Sequence, residues 1–253
     1  MAQLTLSGWF TLELFQVLLV FVRVSAAMML LPGFGEPAVP VRIRVLTGLA
    51  IGAALTPTIA GLPDAVPNAA GVLIGTLAEA LNGLLLGVLC RTLISAVTTA
   101  GQIISMNIGM TNIFAAGVSM DQSATIGAVI YAGVIAILFA SGGHHMMLRG
   151  LAESYDLLPP AQFPNPAISA KVVVAAGAKA LRLATQIALP FLLLALLFNS
   201  ALAVINRALP AIPLFMLANP VIVVLGLYLL ASTMPGILDP GLADWPDIMG
   251  LLH

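Results

Sequence analysis

Residues 183–206 read LATQIALPFLLLALLFNSALAVIN and contain no Asp, Glu, Lys or Arg. A helix of about 20 such residues covers a hydrocarbon core roughly 30 Å thick. Four further stretches are also free of these residues: 45–63, 92–120, 122–148 and 208–238. Helices of this kind satisfy their own backbone hydrogen bonds in lipid. The sequence therefore predicts an all-α fold with roughly six apolar helical segments.

The composition is typical of a membrane protein. The 253 residues are 60% hydrophobic and 8% charged, whereas about 25% of residues are charged in ordinary soluble domains. The net charge of -1 argues against nucleic-acid binding, because neutralising phosphates requires a basic face. The single cysteine, Cys90, cannot form an intramolecular disulfide. The N-terminus lacks the basic region of a secretory signal, so we expect a retained first helix.

Proline and glycine clusters divide the chain into helices. Stretches 31–40, 61–68 and 157–169 are rich in these residues and predict turns or connectors. The predicted helices cover 9–31, 43–60, 71–105, 122–143, 168–198 and 208–235. No soluble domain fits between them. We expect one helical domain over 1–253, with a polar, irregular tail at 239–253.

Three glycine pairs have a spacing of four residues: Gly48/Gly52, Gly71/Gly75 and Gly83/Gly87. Each pair places two small residues on one helix face, where a neighbouring backbone can approach closely. Helices associate in lipid through such contacts. Chance is the alternative, because the chain has 23 glycines.

Four charged residues interrupt the apolar helices: Glu13, Arg23, Glu79 and Arg91. An unpaired charge at the bilayer centre costs about 2.5–3.5 kcal/mol, so these side chains should face protein or water. Glu13 and Arg23 lie about 15 Å apart along a helix, and Glu79 and Arg91 about 18 Å apart, so neither pair can close within its own helix. We expect ion pairs at helix or subunit interfaces. A proton or ion path is the alternative.

Motifs for enzyme or metal chemistry are weak. His144 and His145 are adjacent, whereas helical metal sites prefer spacings of three or four residues, and no Cys or carboxylate lies within one turn. The sequence around Ser119 is not Gly-x-Ser-x-Gly. The aspartates lie in connections or the tail, outside the helices where an intramembrane protease would need them. We predict a protein that is not an enzyme and has no cofactor or metal.

The segment Gly109–Ala124, GMTNIFAAGVSMDQSA, fits neither a surface turn nor a transmembrane helix. Non-helical backbone at membrane depth is tolerated only where it is buried in protein or lines a water-filled cavity. Glycines at 109 and 117 supply hinges. Flexible or bulky apolar side chains concentrate around them: Met106, Met110, Ile113, Phe114 and Met120. We interpret the segment as buried or cavity-lining, with an ordinary buried connector as the alternative.

Three stretches carry a family resemblance: RVSAAMMLLPGFGEPAVPVRIRVLTGLAIG (23–52), GQIISMNIGMTNIF (101–114) and GGHHMMLRGLAESYDLLP (142–159). They resemble the FliR family, the export-gate subunit of the bacterial flagellar type III secretion apparatus. The third stretch resembles the family pattern Asp-Gly-His-His-Leu-Leu-Leu-x-x-Leu-x-x-Ser. Here Gly142 stands for the acidic residue, and Met146 and Met147 stand for leucines. Residue 142 therefore carries no charged side chain in this sequence.

The resemblance implies an all-α subunit of helical hairpins in a hetero-oligomeric gate. Its partners would be FliP and FliQ homologues, an FlhB homologue, unfolded export substrates and membrane lipid, but no nucleic acid. Its location would be the bacterial inner membrane, in the flagellar basal body. The loop near 106–122 would plug the channel, with these residues as a gasket: Met106, Met110, Ile113, Phe114, Gly117 and Met120. The alternatives are the homologous injectisome subunit of the SctT family and a secondary transporter with a midplane substrate site.

Overall fold

The computed structural model describes residues 6–108, 123–208 and 214–243. These residues form seven α-helices and one 3₁₀ turn, Thr56–Thr58, and no strand occurs among them. The helices are α1 (Leu6–Met28), α2 (Val41–Leu55), α3 (Ala69–Asn107), α4 (Ser123–Ala140), α5 (Gly143–Leu157), α6 (Pro166–Ala208) and α7 (Leu214–Ala243). The predicted all-α fold is confirmed.

Several helix boundaries differ from the prediction. Helix α5 occupies a stretch that the sequence treats as a connection, because its polar residues hide it from a search for charge-free runs. Helix α6 continues to Ala208 instead of ending near 198, since Asn199 and Ser200 lower helix propensity without breaking the helix. Helix α7 continues to Ala243, into the tail predicted to be irregular, and 244–253 lie outside the described residues.

Three of the described helices are long and apolar enough to cross a membrane: α1 over Thr11–Met28, α3 and α6. The consecutive helices α4 and α5 would add a fourth span if they are counted as one. Helix α2 has 15 residues and covers only about 22 Å, which is less than a hydrocarbon core of roughly 30 Å. The described part of the chain is therefore a polytopic helical protein whose apolar segments differ widely in length.

The chain divides into two compact units, which are described separately. Among the described residues, unit 1 consists of 6–92 and 141–176. Unit 2 consists of 93–108, 123–140, 177–208 and 214–243. Helices α3 and α6 contribute residues to both units. The single domain over 1–253 stays a prediction.

Unit 1 is built around α1, which packs against α2 on one side and α3 on another. A Cβ added at Gly52 of α2 would lie 2.9 Å from the Cα of Phe21. A Cβ added at Gly87 of α3 would lie 2.9 Å from the backbone O of Ala27 in α1. Real Cβ atoms do not come this close to a neighbour, so two of the three glycine pairs lie in close helix contacts. Gly71 and Gly75 instead face Pro67 and Ala161, which lie outside the helices.

Unit 2 is built on an alanine seam, by which we mean Ala96 and Ala100 of α3 with Ala180 and Ala184 of α6. All four residues are buried, and small side chains let two helices approach closely. A second cluster follows in the same direction along both helices and contains Ile104, Ile108, Ala188 and Phe191. Helices α3 and α6 therefore run parallel in unit 2.

Candidate functional site

The most distinctive feature of unit 1 is a buried ion pair between α1 and α3. Arg23 Nε donates to Glu79 Oε2 at 2.5 Å, and Arg23 Nη2 donates to Glu79 Oε1 at 3.1 Å. Both side chains are fully buried. The contact is bidentate, which suits the planar guanidinium and the carboxylate. It forms because α1 and α3 run parallel, with Leu19 beside Gly75 one turn earlier.

Arg23 also reaches α5 and the residue that follows it. Its Nη1 donates to Ser154 Oγ at 3.3 Å, and its Nη2 donates to the backbone O of Leu158 at 2.9 Å. Its Cζ lies 3.7 Å from the centre of the Tyr155 ring, which is cation–π geometry. The guanidinium is thus surrounded by partners on three elements, and its burial is compensated.

Glu79 and Asn82 of α3 bind the backbone of the same connecting segment. The N–H of Ala161 donates to Glu79 Oε1 at 2.7 Å. Asn82 Nδ2 donates to the backbone O of Gln162 at 3.0 Å. Ala161 has φ of 58°, a left-handed conformation that is uncommon for a residue with a Cβ. The connector, defined here as 158–165, is therefore held in one defined conformation.

The connector leads into α6. Asn165 Oδ1 accepts from the N–H of Ala167 at 3.0 Å and caps the first turn of the helix. Phe163 is 52% exposed although it is aromatic. A cavity of about 240 Å³ lies beneath the connector and is lined by Leu85, Leu157, Phe163 and Ile168, among others. The ion pair therefore contacts the connector, and the connector leads directly into α6.

The role of this site is structural: its buried charges hold the neighbouring helices and the connector in place. Arg23 and Glu79 have no solvent exposure, and their charged groups are occupied by each other and by backbone atoms. A buried charge with this many partners holds groups in place, and breaking one partner leaves the other uncompensated.

The other two charged residues that interrupt the apolar helices are placed differently. Arg91 Nη1 lies 3.8 Å from Glu36 Oε1, and the Arg91 side chain is half-exposed. Glu36 belongs to the turn between α1 and α2, and its backbone O also accepts from Arg44 Nη2. Glu13 lies on the exposed side of α1. A subunit-interface role for the four charges stays a prediction.

His144 and His145 lie in the first turn of α5. Their rings are 4.0 Å apart, centre to centre. Within 6–108, 123–208 and 214–243, no group of three His, Cys, Asp or Glu side chains could hold a metal ion. The two rings are tilted by 42° relative to each other and lie at the beginning of an amphipathic helix.

The predicted plug begins at the end of α3. Met106 is 67% exposed, whereas Ile108 is buried and its side chain fills the space beside Gly226 of α7. The remaining predicted plug residues lie outside the described residues: Met110, Ile113, Phe114, Gly117 and Met120. The plug assignment stays a prediction.

The sequence did not indicate that Ser154 and Tyr155 of α5 contact Arg23, nor that Asn82 of α3 binds the connector. One available signal was the period of α5, where Met147, Leu151 and Tyr155 recur every four residues and are buried. Asn82 is three residues after Glu79, on the same face of α3.

Taken together, the helices and the buried polar cluster define an all-helical, polytopic membrane protein. Residues 14–244 match the model of a family described as bacterial export proteins, family 1, so the chain belongs to this family, that of the FliR proteins.

Curated relatives match over most of their length. The flagellar biosynthetic protein FliR of Caulobacter vibrioides is 32% identical over 227 residues, which cover 89% of this chain and 90% of that protein. The protein of the same name in Aquifex aeolicus is 30% identical, with 88% and 86% covered. That of Escherichia coli strain K12 is 25% identical, with 90% and 86% covered.

Proposed function

We propose that this chain is a non-enzymatic core subunit of the flagellar type III protein-export gate. The observation that carries the proposal is the family match over residues 14–244, together with relatives named flagellar biosynthetic protein FliR. The gate lies in the bacterial inner membrane at the flagellar basal body and passes unfolded export substrates.

The lengths of two helices support assembly with other subunits. At 1.5 Å per residue, the 39 residues of α3 extend about 58 Å, and the 43 residues of α6 about 64 Å. A hydrocarbon core is only about 30 Å thick. Both helices carry large exposed apolar side chains along most of their length, among them Leu73, Leu77, Leu84, Val174, Leu181 and Val204. Apolar surface that extends beyond the lipid needs protein to cover it, and FliP, FliQ and FlhB homologues are the partners that we propose.

The loop near 106–122 plugs the channel in this proposal. Met106 offers an exposed thioether at the start of the loop, while Ile108 holds the end of α3 in place. Unbranched methionine side chains can repack around a passing chain, and an apolar constriction blocks ions by dewetting. Met110, Ile113, Phe114 and Met120 complete the gasket, with a hinge at Gly117.

Deletion of the gene in its own bacterium tests the role in export. We expect the deletion to abolish secretion of flagellar filament protein and motility, and a plasmid copy to restore both. A tagged copy should purify with FliP and FliQ homologues. Motility that survives while secretion by an injectisome stops would reassign the chain to that system. Purification as a monomer or homodimer, with motility intact, would favour a transporter.

A leak assay tests the plug. Replacing Met110 and Phe114 together with alanine should leave assembly intact but let small ions cross the membrane, measured as conductance of the purified complex in a bilayer. Replacing Met146 and Phe139 with alanine is the matched control, because it removes the same side-chain types outside the loop. Parent-like impermeability of the first variant at normal yield would reject the plug and leave an ordinary connector.

A further inference from the structure

We propose that Arg23, Glu79 and Asn82 are positioning residues that set the register of the connector on α1 and α3. By register we mean which connector residues lie opposite which residues of the two helices. The inference concerns the internal structure of the chain and does not require the export role. It rests on three hydrogen bonds that reach backbone atoms of the connector: at the O of Leu158, the N–H of Ala161 and the O of Gln162.

The connector cannot hold itself in place through regular structure. Its sequence, LPPAQFPN, has prolines at 159, 160 and 164, and proline has no backbone N–H to donate. Its backbone groups therefore depend on partners from outside. The three side chains provide those partners from α1 and α3, and two of them come from one face of α3.

A charged anchor differs from an apolar one in how sharply it selects a register. Apolar attraction is non-directional, so an apolar contact selects a register less sharply. The Arg23–Glu79 pair, in contrast, is fully buried, so a slip of the connector would remove the backbone partners of both charges at once. A buried pair can contribute conformational specificity even where an apolar pair would be equally stable.

The register has a consequence for α6. Asn165, the residue that caps α6, is three residues after Gln162, which Asn82 binds. The anchored connector therefore determines the residue at which α6 begins. The same register places Ala161 against α3, where its Cβ would lie 3.2 Å from a Cβ added at Gly75.

The first experiment measures connector opening in the purified complex. Cys90, the natural cysteine, is replaced with alanine, and Ala161→Cys supplies a thiol that faces α3. We expect R23M/E79M to assemble with its companions while the maleimide labelling rate at position 161 rises about tenfold, as loss of a hydrogen bond to a charged group implies. The control R149M/E153M removes an exposed ion pair of α5 and should leave the rate unchanged.

Asn82→Ala keeps both charges and makes the experiment independent of the double variant. Loss of its hydrogen bond to Gln162 should raise the labelling rate about threefold, the effect of one neutral hydrogen bond. A labelling rate equal to that of the parent in both R23M/E79M and N82A would overturn the proposal.

The second experiment tests rescue. Cysteines at 75 and 161 place two Cβ atoms close to disulfide distance. We expect R23M/E79M to lose filament secretion, and the oxidised 75–161 disulfide to restore it, with reversal on reduction. A disulfide that forms but does not restore secretion would show that the ion pair does something other than hold the connector. If the gene deletion itself leaves secretion intact, the export role fails while the labelling experiment still tests the register.

Discussion

Helix α3 packs by different means in its two halves. In unit 1 its contacts combine close glycine packing with a fully buried ion pair, through Gly83, Gly87 and Glu79. In unit 2 its contacts are apolar: the alanine seam comes first, and the cluster that contains Ile104 and Phe191 follows. One helix therefore carries a polar, geometrically selective interface and an apolar, repetitive one.

The difference shows that two helices can pack closely without being fixed in one alignment along their axes. Alanines recur every four residues on α6, at 176, 180, 184 and 188, so a shift by one helical turn again places alanine opposite alanine. Such packing brings helices together without strongly selecting one alignment. The ion pair of unit 1, in contrast, is complete only when Arg23, Glu79 and the connector are aligned. The polar interface thus specifies the alignment.

The largest expected effect is removal of one charge from the polar interface. Glu79→Leu should destabilise the protein by about 3–5 kcal/mol, because it leaves the Arg23 guanidinium buried without its carboxylate. The readouts are the thermal unfolding of the purified complex and its yield. Glu153→Gln, at an exposed ion pair of α5, is the control and should change stability by less than about 1 kcal/mol. If E79L and the parent have the same melting temperature, the buried ion pair does not stabilise the protein, and the contrast between the two interfaces fails.

The next largest effect is expected in the alanine seam. Ala184→Leu should cost roughly 3 kcal/mol, since Ala184 is fully buried and the larger side chain must force α3 and α6 apart. Ala178→Leu, at an exposed position of the same helix, is the matched control. Similar melting temperatures for the two variants would mean that the seam is not tightly packed.

A smaller loss is expected at the glycine contacts of the polar interface. Gly83→Ala should destabilise by roughly 1–2 kcal/mol, because its Cβ would meet the backbone O of Arg23 while better helix propensity offsets about 1 kcal/mol. Gly177→Ala in α6 meets nothing within 4 Å and should instead stabilise by roughly 0.4–1 kcal/mol. Thermal unfolding distinguishes the two signs, and a stabilised G83A would contradict the close contact.

The smallest effect is expected from metal removal. EDTA should leave the melting temperature and subunit composition of the purified complex unchanged, because adjacent histidines cannot close a coordination shell. Elemental analysis provides an independent measurement. Stoichiometric zinc that disappears on replacing His144 or His145 would contradict this prediction.

The sequence predicts much of the fold, since the charge-free runs mark most of α2, α4 and α7 and the C-terminal parts of α3 and α6. It also marks Arg23 and Glu79 as residues that need partners. It does not pair them, because their pairing depends on the parallel packing of α1 and α3, which join residues 56 positions apart. The polar face of α5 hides that helix from a search based on hydrophobicity alone, although the burial of Met147, Leu151 and Tyr155 follows a helical period.

The exposure of Met106 gives the chain a point of oxidative sensitivity. Among the methionines whose side chains the structure describes, it is the most exposed, whereas Met28 and Met147 are buried. Peroxide reacts with accessible thioethers and converts them into polar sulfoxides, which methionine sulfoxide reductases reverse. In the solubilised protein, Met106 should therefore be oxidised faster than Met28 and Met147. It would place a polar group where α3 ends and the following segment begins.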